Sequence, residues 1–82
     1  MERRARLRSR TALRDVMQAR QMSVRTLAHR AGCGKSMIGL LRSGARTSCS
    51  ADLAVRITTA LSMPADDVFI LDPEGAEALT RR

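Results

Sequence analysis

Between Lys35 and Ser43 the chain reads KSMIGLLRS, and at 100° per residue a helix divides those positions into two faces. Ile38 and Leu41, with Met37 beside them, fall on one face; Lys35, Ser36, Gly39, Leu40 and Ser43 fall on the other. The second face combines a cation, two hydroxyls and an aliphatic tip with a glycine. Three of its five residues are small, so a helix bearing them can sit deep in the major groove of a DNA duplex, where a helix just fits. There Lys35 can donate to guanine O6 and N7 or to a phosphate, Ser36 can meet a base edge, and Leu40 can touch a thymine methyl. Arg42, at the boundary of the face, is placed for a phosphate, and the helix N-terminus adds N–H groups suited to an anionic backbone. A merely solvated face would also carry Ser and Lys, and Leu40 has the alternative of an oligomer contact.

This helix needs neighbours to hold it. Ser23 caps a short helix with Val24, Leu27, Ala28 and Ala31 inward, and Gly32 follows as the left-handed residue that ends it. Thr11 is placed to cap an earlier helix running to about Gln21, with Leu13, Val16 and Met17 on one side. Gly44 closes the Lys35–Ser43 segment. Ser50 caps a fourth helix to about Leu61, with Leu53, Ala54, Ile57 and Leu61 at core spacing. Pro64 opens a short fifth helix through Val68 and Phe69, with Asp66 and Asp67 in its first turn. With one aromatic, Phe69, in 82 residues, the core is built from Leu, Ile, Val, Met and Ala. Alternating Val, Thr or Tyr runs are missing, so the expected class is all-α, a compact bundle of about five short helices. Three parts are expected: a flexible basic arm at 1–10, a folded domain at 11–71 and a polar tail at 72–82.

Charge is distributed unevenly. Residues 1–46 hold eleven Arg and Lys35 against Glu2 and Asp15, a balance of +10; residues 47–82 hold three Arg against six acids, a balance of −3. A polyanion bound on the basic side would account for this. The arm supplies Arg3, Arg4, Arg6, Arg8 and Arg10, which either track phosphates, enter a minor groove, or form a solvated tail.

The ordered series Leu27-Ala28, Gly32, Ser36, Ile38, Leu41, Gly44, Arg46, Leu53, Ile57, Ala60-Leu61 and Phe69 resembles the phage-repressor and Cro-like (XRE) helix-turn-helix family, over roughly residues 13–69. The resemblance implies a lambda-repressor-like domain that binds double-stranded DNA sequence-specifically. Its base contacts would come from Lys35, Ser36, Gly39 and Leu40. Phosphate contacts would come from Arg25, Arg42, Ser43 and Arg46, together with the arm arginines. Three positions depart from the family pattern. Val24 stands where many members carry a phosphate-clamping Gln, so that role either passes to a neighbour such as Arg25 or is lost. Gly34 stands where Ser is frequent, and Arg42 replaces a frequent acid. The implied function is a small Cro-type repressor of transcription, of the kind phages carry. The alternatives are an antitoxin-type autoregulator whose tail binds a protein, and an architectural or recombination factor.

Other chemistry finds little footing. Gly34-Lys35-Ser36 matches the end of a nucleotide-binding P-loop, but His29 occupies the position of its first glycine and no strand precedes it. His29, Cys33 and Cys49 would have to converge from a helix, a turn and a loop to hold a metal. Neither a catalytic arrangement nor a cofactor site emerges, so the expectation is a non-enzyme with no metal or small-molecule partner. RNA stacking is disfavoured without Trp or Tyr. The apolar run Val68, Phe69, Ile70 and Leu71 is too short to cross a bilayer, and no apolar stretch follows the basic start, so a cytoplasmic location is expected. That run packs in the core, or else offers a patch or short strand for a homodimer.

Overall fold

The computed structural model describes residues 3–71; the polar tail expected at 72–82 lies outside them. Four helices form: α1 (Ala12–Ala19), α2 (Val24–Ala31), α3 (Lys35–Ser43) and α4 (Ala51–Ala60). Three strands accompany them, β1 (Arg4–Leu7), β2 (Ser48–Ser50) and β3 (Phe69–Leu71), in the antiparallel order β2-β1-β3. The expectation of an all-α, five-helix bundle is therefore corrected. Where a fifth helix was expected there is a single 3-10 turn, Ala65–Asp67, followed directly by β3.

The segment expected to be a flexible arm contains the central strand of the sheet. Arg4, Ala5 and Arg6 lie opposite Ser50, Cys49 and Ser48 on one side; Ala5, Arg6 and Leu7 lie opposite Leu71, Ile70 and Phe69 on the other. Strand geometry sends successive side chains to opposite faces. Ala5 and Leu7 accordingly enter the core, while Arg4 and Arg6 stay exposed. Ala5, Leu7, Cys49 and Phe69 thus close one side of an apolar cluster whose other members include Leu13, Met17, Leu27, Ile38, Leu41, Ile57 and Leu61.

Local chemistry sets half of the helix ends. The hydroxyls of Ser23 and Ser50 accept from the N–H groups of Thr26 and Leu53, each at 3.1 Å, as N-caps do. Gly32 and Gly44 end α2 and α3 in the left-handed region, at φ +70° and +84°. Thr11 does not cap α1: its hydroxyl donates to the Asp15 carboxylate at 3.1 Å instead. Among the described residues no helix is long and apolar enough to cross a membrane.

This packing makes stability sensitive at two places. Leu7→Ala should cost about 2–4 kcal/mol in chemical denaturation, the usual effect of emptying a buried leucine site; deletion of residues 1–8 should abolish cooperative thermal unfolding. At Gly44 a Cβ would stand 3.1 Å from the Arg10 carbonyl oxygen and 3.2 Å from the Arg10 Cβ. Gly44→Ala should therefore lose about 2 kcal/mol or more, since left-handed strain adds to that clash.

Candidate nucleic-acid interface

Helix α3 has the two faces that its spacing predicts. Ile38 and Leu41 are wholly withdrawn from solvent. Lys35, Ser36 and Ser43 are exposed, and Leu40 keeps 43% of its surface in water, one of two large apolar side chains among the described residues to do so. A Cβ built on Gly39 would meet nothing within 4 Å, so this residue makes a notch in the outward face. At the start of α3, Gly34 provides no side-chain cap, which leaves the first N–H groups of the helix available to an anion.

The turn before α3 is fixed from a distance. Arg56, on α4, donates through Nη1 to the carbonyls of Ala31 (3.3 Å) and Gly32 (3.2 Å), and its Nε lies 3.2 Å from the carboxylate of Asp52. A cation at the C-terminal carbonyls of α2 complements the helix dipole. It also ties the turn between α2 and α3 to a separate helix. In the sequence Arg56 stands out only as a charge; its spacing of four from Asp52 on one helix is the signal of an organised role.

The structure sorts the expected phosphate-contacting residues. Arg25 is exposed in the first turn of α2, and Arg42 is half-buried in the last turn of α3. The Ser43 hydroxyl is engaged within its own turn, where it donates to the Leu40 carbonyl at 3.1 Å and accepts from the Ala45 N–H at 3.2 Å. Arg46 directs Nε to the Ser48 carbonyl at 3.2 Å, and its backbone N–H donates to the Leu40 carbonyl at 3.1 Å. Arg10 donates through Nη1 to the Gly44 carbonyl at 3.2 Å, at the C-terminal end of α3. Arg8 donates through Nε to the Asp66 carbonyl. Arg4 donates to the Ser48 hydroxyl at 3.3 Å. Arg3 and Arg6 are exposed.

Neither thiol is poised for chemistry. Burial pushes both Cys33 and Cys49 above the ordinary range, against the smaller opposing pull of Arg56 on Cys33 and of Arg4 and Arg46 on Cys49. His29 is exposed on α2. Among the described residues no group of three or more His, Cys, Asp or Glu is placed to hold a metal ion.

Comparison with known proteins agrees with this fold. A solved structure, that of the restriction-modification controller protein C.AhdI from Aeromonas hydrophila, is similar to this chain with a TM-score of 0.65 and 28% sequence identity. The similarity covers 71% of this chain and 86% of that one. No curated protein sequence matches the chain. The model of the Cro/C1-type helix-turn-helix DNA-binding domain matches residues 12–74, which include all four helices and the notched outward face of α3. The chain belongs to the Cro/C1-type helix-turn-helix DNA-binding family.

Proposed function

We propose that the protein is a sequence-specific regulator of transcription, a small Cro-type repressor that occupies a promoter by placing α3 in the major groove. The observation that carries this reading is the division of α3. Two fully buried anchors, Ile38 and Leu41, oppose an exposed face whose middle is the open notch at Gly39. In this reading Lys35 and Ser36 contact base edges near the helix N-terminus and Leu40 meets a thymine methyl, while the Gly39 notch lets the helix approach closely. Arg25, Arg42 and Arg46 bind phosphates on either side and fix the register. Similarity to a protein named as a restriction-modification controller supports a regulatory role.

A homodimer through β3 completes the proposal. Val68 and Phe69 are sealed in the core, which withdraws them from any interface; Ile70 and Leu71 are half-buried. Arg8 donates its N–H to the Val68 carbonyl at 2.9 Å, and Arg6 lies opposite Ile70. Because bonded and non-bonded pairs alternate in an antiparallel ladder, the N–H and C=O groups of Phe69 and Leu71 face away from β1. A second copy pairing along that edge would give a two-fold axis.

Selection of bound duplexes from a random pool should return a defined consensus, two-fold symmetric if β3 pairs with its copy; recovery of unrelated sequences would count against specific reading. On the selected site, Lys35→Ala and Ser36→Ala should each weaken binding by roughly five- to a hundredfold, the range for losing a good base contact, with discrimination relaxed at one position each. Gly39→Leu should fold at least as stably as the parent, because a mid-helix glycine costs about 0.5–1 kcal/mol relative to alanine. It should nevertheless lose at least tenfold in affinity, as a side chain filling the notch holds α3 out of the groove.

A further inference from the structure

Beyond the helix-turn-helix, the structure presents a second basic surface on the face of the sheet turned away from the core. Arg4 and Arg6 both leave β1 on this face, about 7 Å apart at two strand residues. By register their neighbours there are Ser50 and Ser48 on β2 and Ile70 on β3. Arg46 comes from the loop after α3 to the outer edge of β2, beside this face. Its Nε donates to the Ser48 carbonyl, while Arg4 donates to the Ser48 hydroxyl. Two guanidinium groups thus engage Ser48, and Arg6 lies opposite it in the register. Two ion pairs occur among the described residues, Arg14 with Asp15 and Arg56 with Asp52, and neither involves this face. Gathering like charges in this way works against the compact fold, and a bound polyanion relieves that repulsion.

The surface is continuous with the end of α3. Arg46 donates its backbone N–H to the carbonyl of Leu40, the exposed apolar residue of the outward face. Arg46 thus links the C-terminal end of α3 to β2, the strand that pairs with the one bearing Arg4 and Arg6. The two arginines that follow on the chain are engaged differently, Arg8 with the Asp66 carbonyl and Arg10 with the Gly44 carbonyl. Strand pairing on both sides also prevents Arg4 and Arg6 from threading into a minor groove as a loose arm would. Arg4 and Arg6 lie outside the residues 12–74 that match the family model.

We infer that this sheet face is a second phosphate-binding surface, which grips the DNA backbone flanking the groove that α3 enters. The inference rests on the proposed docking of α3. Mounted at the strand period, Arg4 and Arg6 follow phosphates of one DNA strand and read no bases, so they add affinity and length of footprint without adding sequence preference.

The test compares the whole chain with Arg6→Gln and with the double variant Arg4→Gln/Arg6→Gln, each checked for an unchanged thermal transition. Affinity is measured against salt concentration on the selected duplex and on a scrambled one. Each lost phosphate contact should reduce the log–log salt slope by about 0.9, so the double variant should lose about 1.8. Arg6→Gln, whose side chain is exposed, serves as the milder substitution. The ratio of affinities for the two duplexes should stay constant, and ethylation interference should disappear at phosphates beyond the α3 groove. An unchanged slope in a double variant that still binds its site overturns the sheet surface and leaves the role of α3 standing. A changed affinity ratio overturns it too, since the arginines would then be reading bases. A parent chain indifferent to any duplex overturns both proposals.

Discussion

The removal of Ile38 and Leu41 from water is the constraint from which the rest of the molecule follows. Helix α3 has little claim to be a helix by itself: it is nine residues long, has Gly39 at its middle and lacks a side-chain N-cap. Isolated helices of that length are marginal even with favourable composition. Burying one aliphatic side chain contributes about 1.5–3 kcal/mol, so this pair supplies a substantial part of the stability of a small domain. Packing creates the helix and, in the same step, decides its rotation. With Ile38 and Leu41 inward, Lys35, Ser36, Gly39 and Leu40 have only one direction left to face.

The arginines divide into two working groups. Arg8, Arg10 and Arg56 are turned toward backbone carbonyls, at Asp66, Gly44 and the end of α2. Their charge joins elements: Arg10 fastens the segment after β1 to the end of α3, and Arg56 fastens the helix-turn-helix turn to α4. Arg25 and Arg6 remain exposed, as does Arg4 although it donates to the Ser48 hydroxyl. Arg46 belongs partly to each group, since Nε is bonded to Ser48 while the residue stays exposed. The basic character of the first half of the chain is therefore partly architecture and partly surface, a distinction that composition does not show.

What could be read from the sequence was local. Ser23, Ser50, Gly32 and Gly44 act within a few residues, and each performs at its own helix end the role that its chemistry predicts. The bounds and faces of α3 follow from spacing alone. The sheet was not legible because β1 pairs with partners far along the chain, Arg4 with Ser50 and Ala5 with Leu71. The alternation Arg4-Ala5-Arg6-Leu7 does carry the period of a strand. It lacks β-branched or aromatic residues, however, and a dense run of arginine reads equally well as a solvated tail. Val68, Phe69, Ile70 and Leu71 were ambiguous for the opposite reason, since a continuous short apolar run has no period by which to separate helix from strand. In the candidate site, the faces were legible and individual hydrogen bonds were not: nothing local indicates that the Ser43 hydroxyl is used by Leu40 and Ala45, or that Arg56 reaches across to α2.

The position of β1 in the sheet also bears on how the molecule is made. Its centre is synthesised before every element that flanks it, and its second neighbour, β3, is the last element described. The helices can gather as they leave the ribosome, but the sheet must wait for Leu71. Until then β1 can pair on its β2 side alone, and its other edge is open to capture by other chains. Closing so long a loop is entropically unfavourable and slows the final step. The sheet is therefore completed only when its earliest strand is drawn in between two later ones.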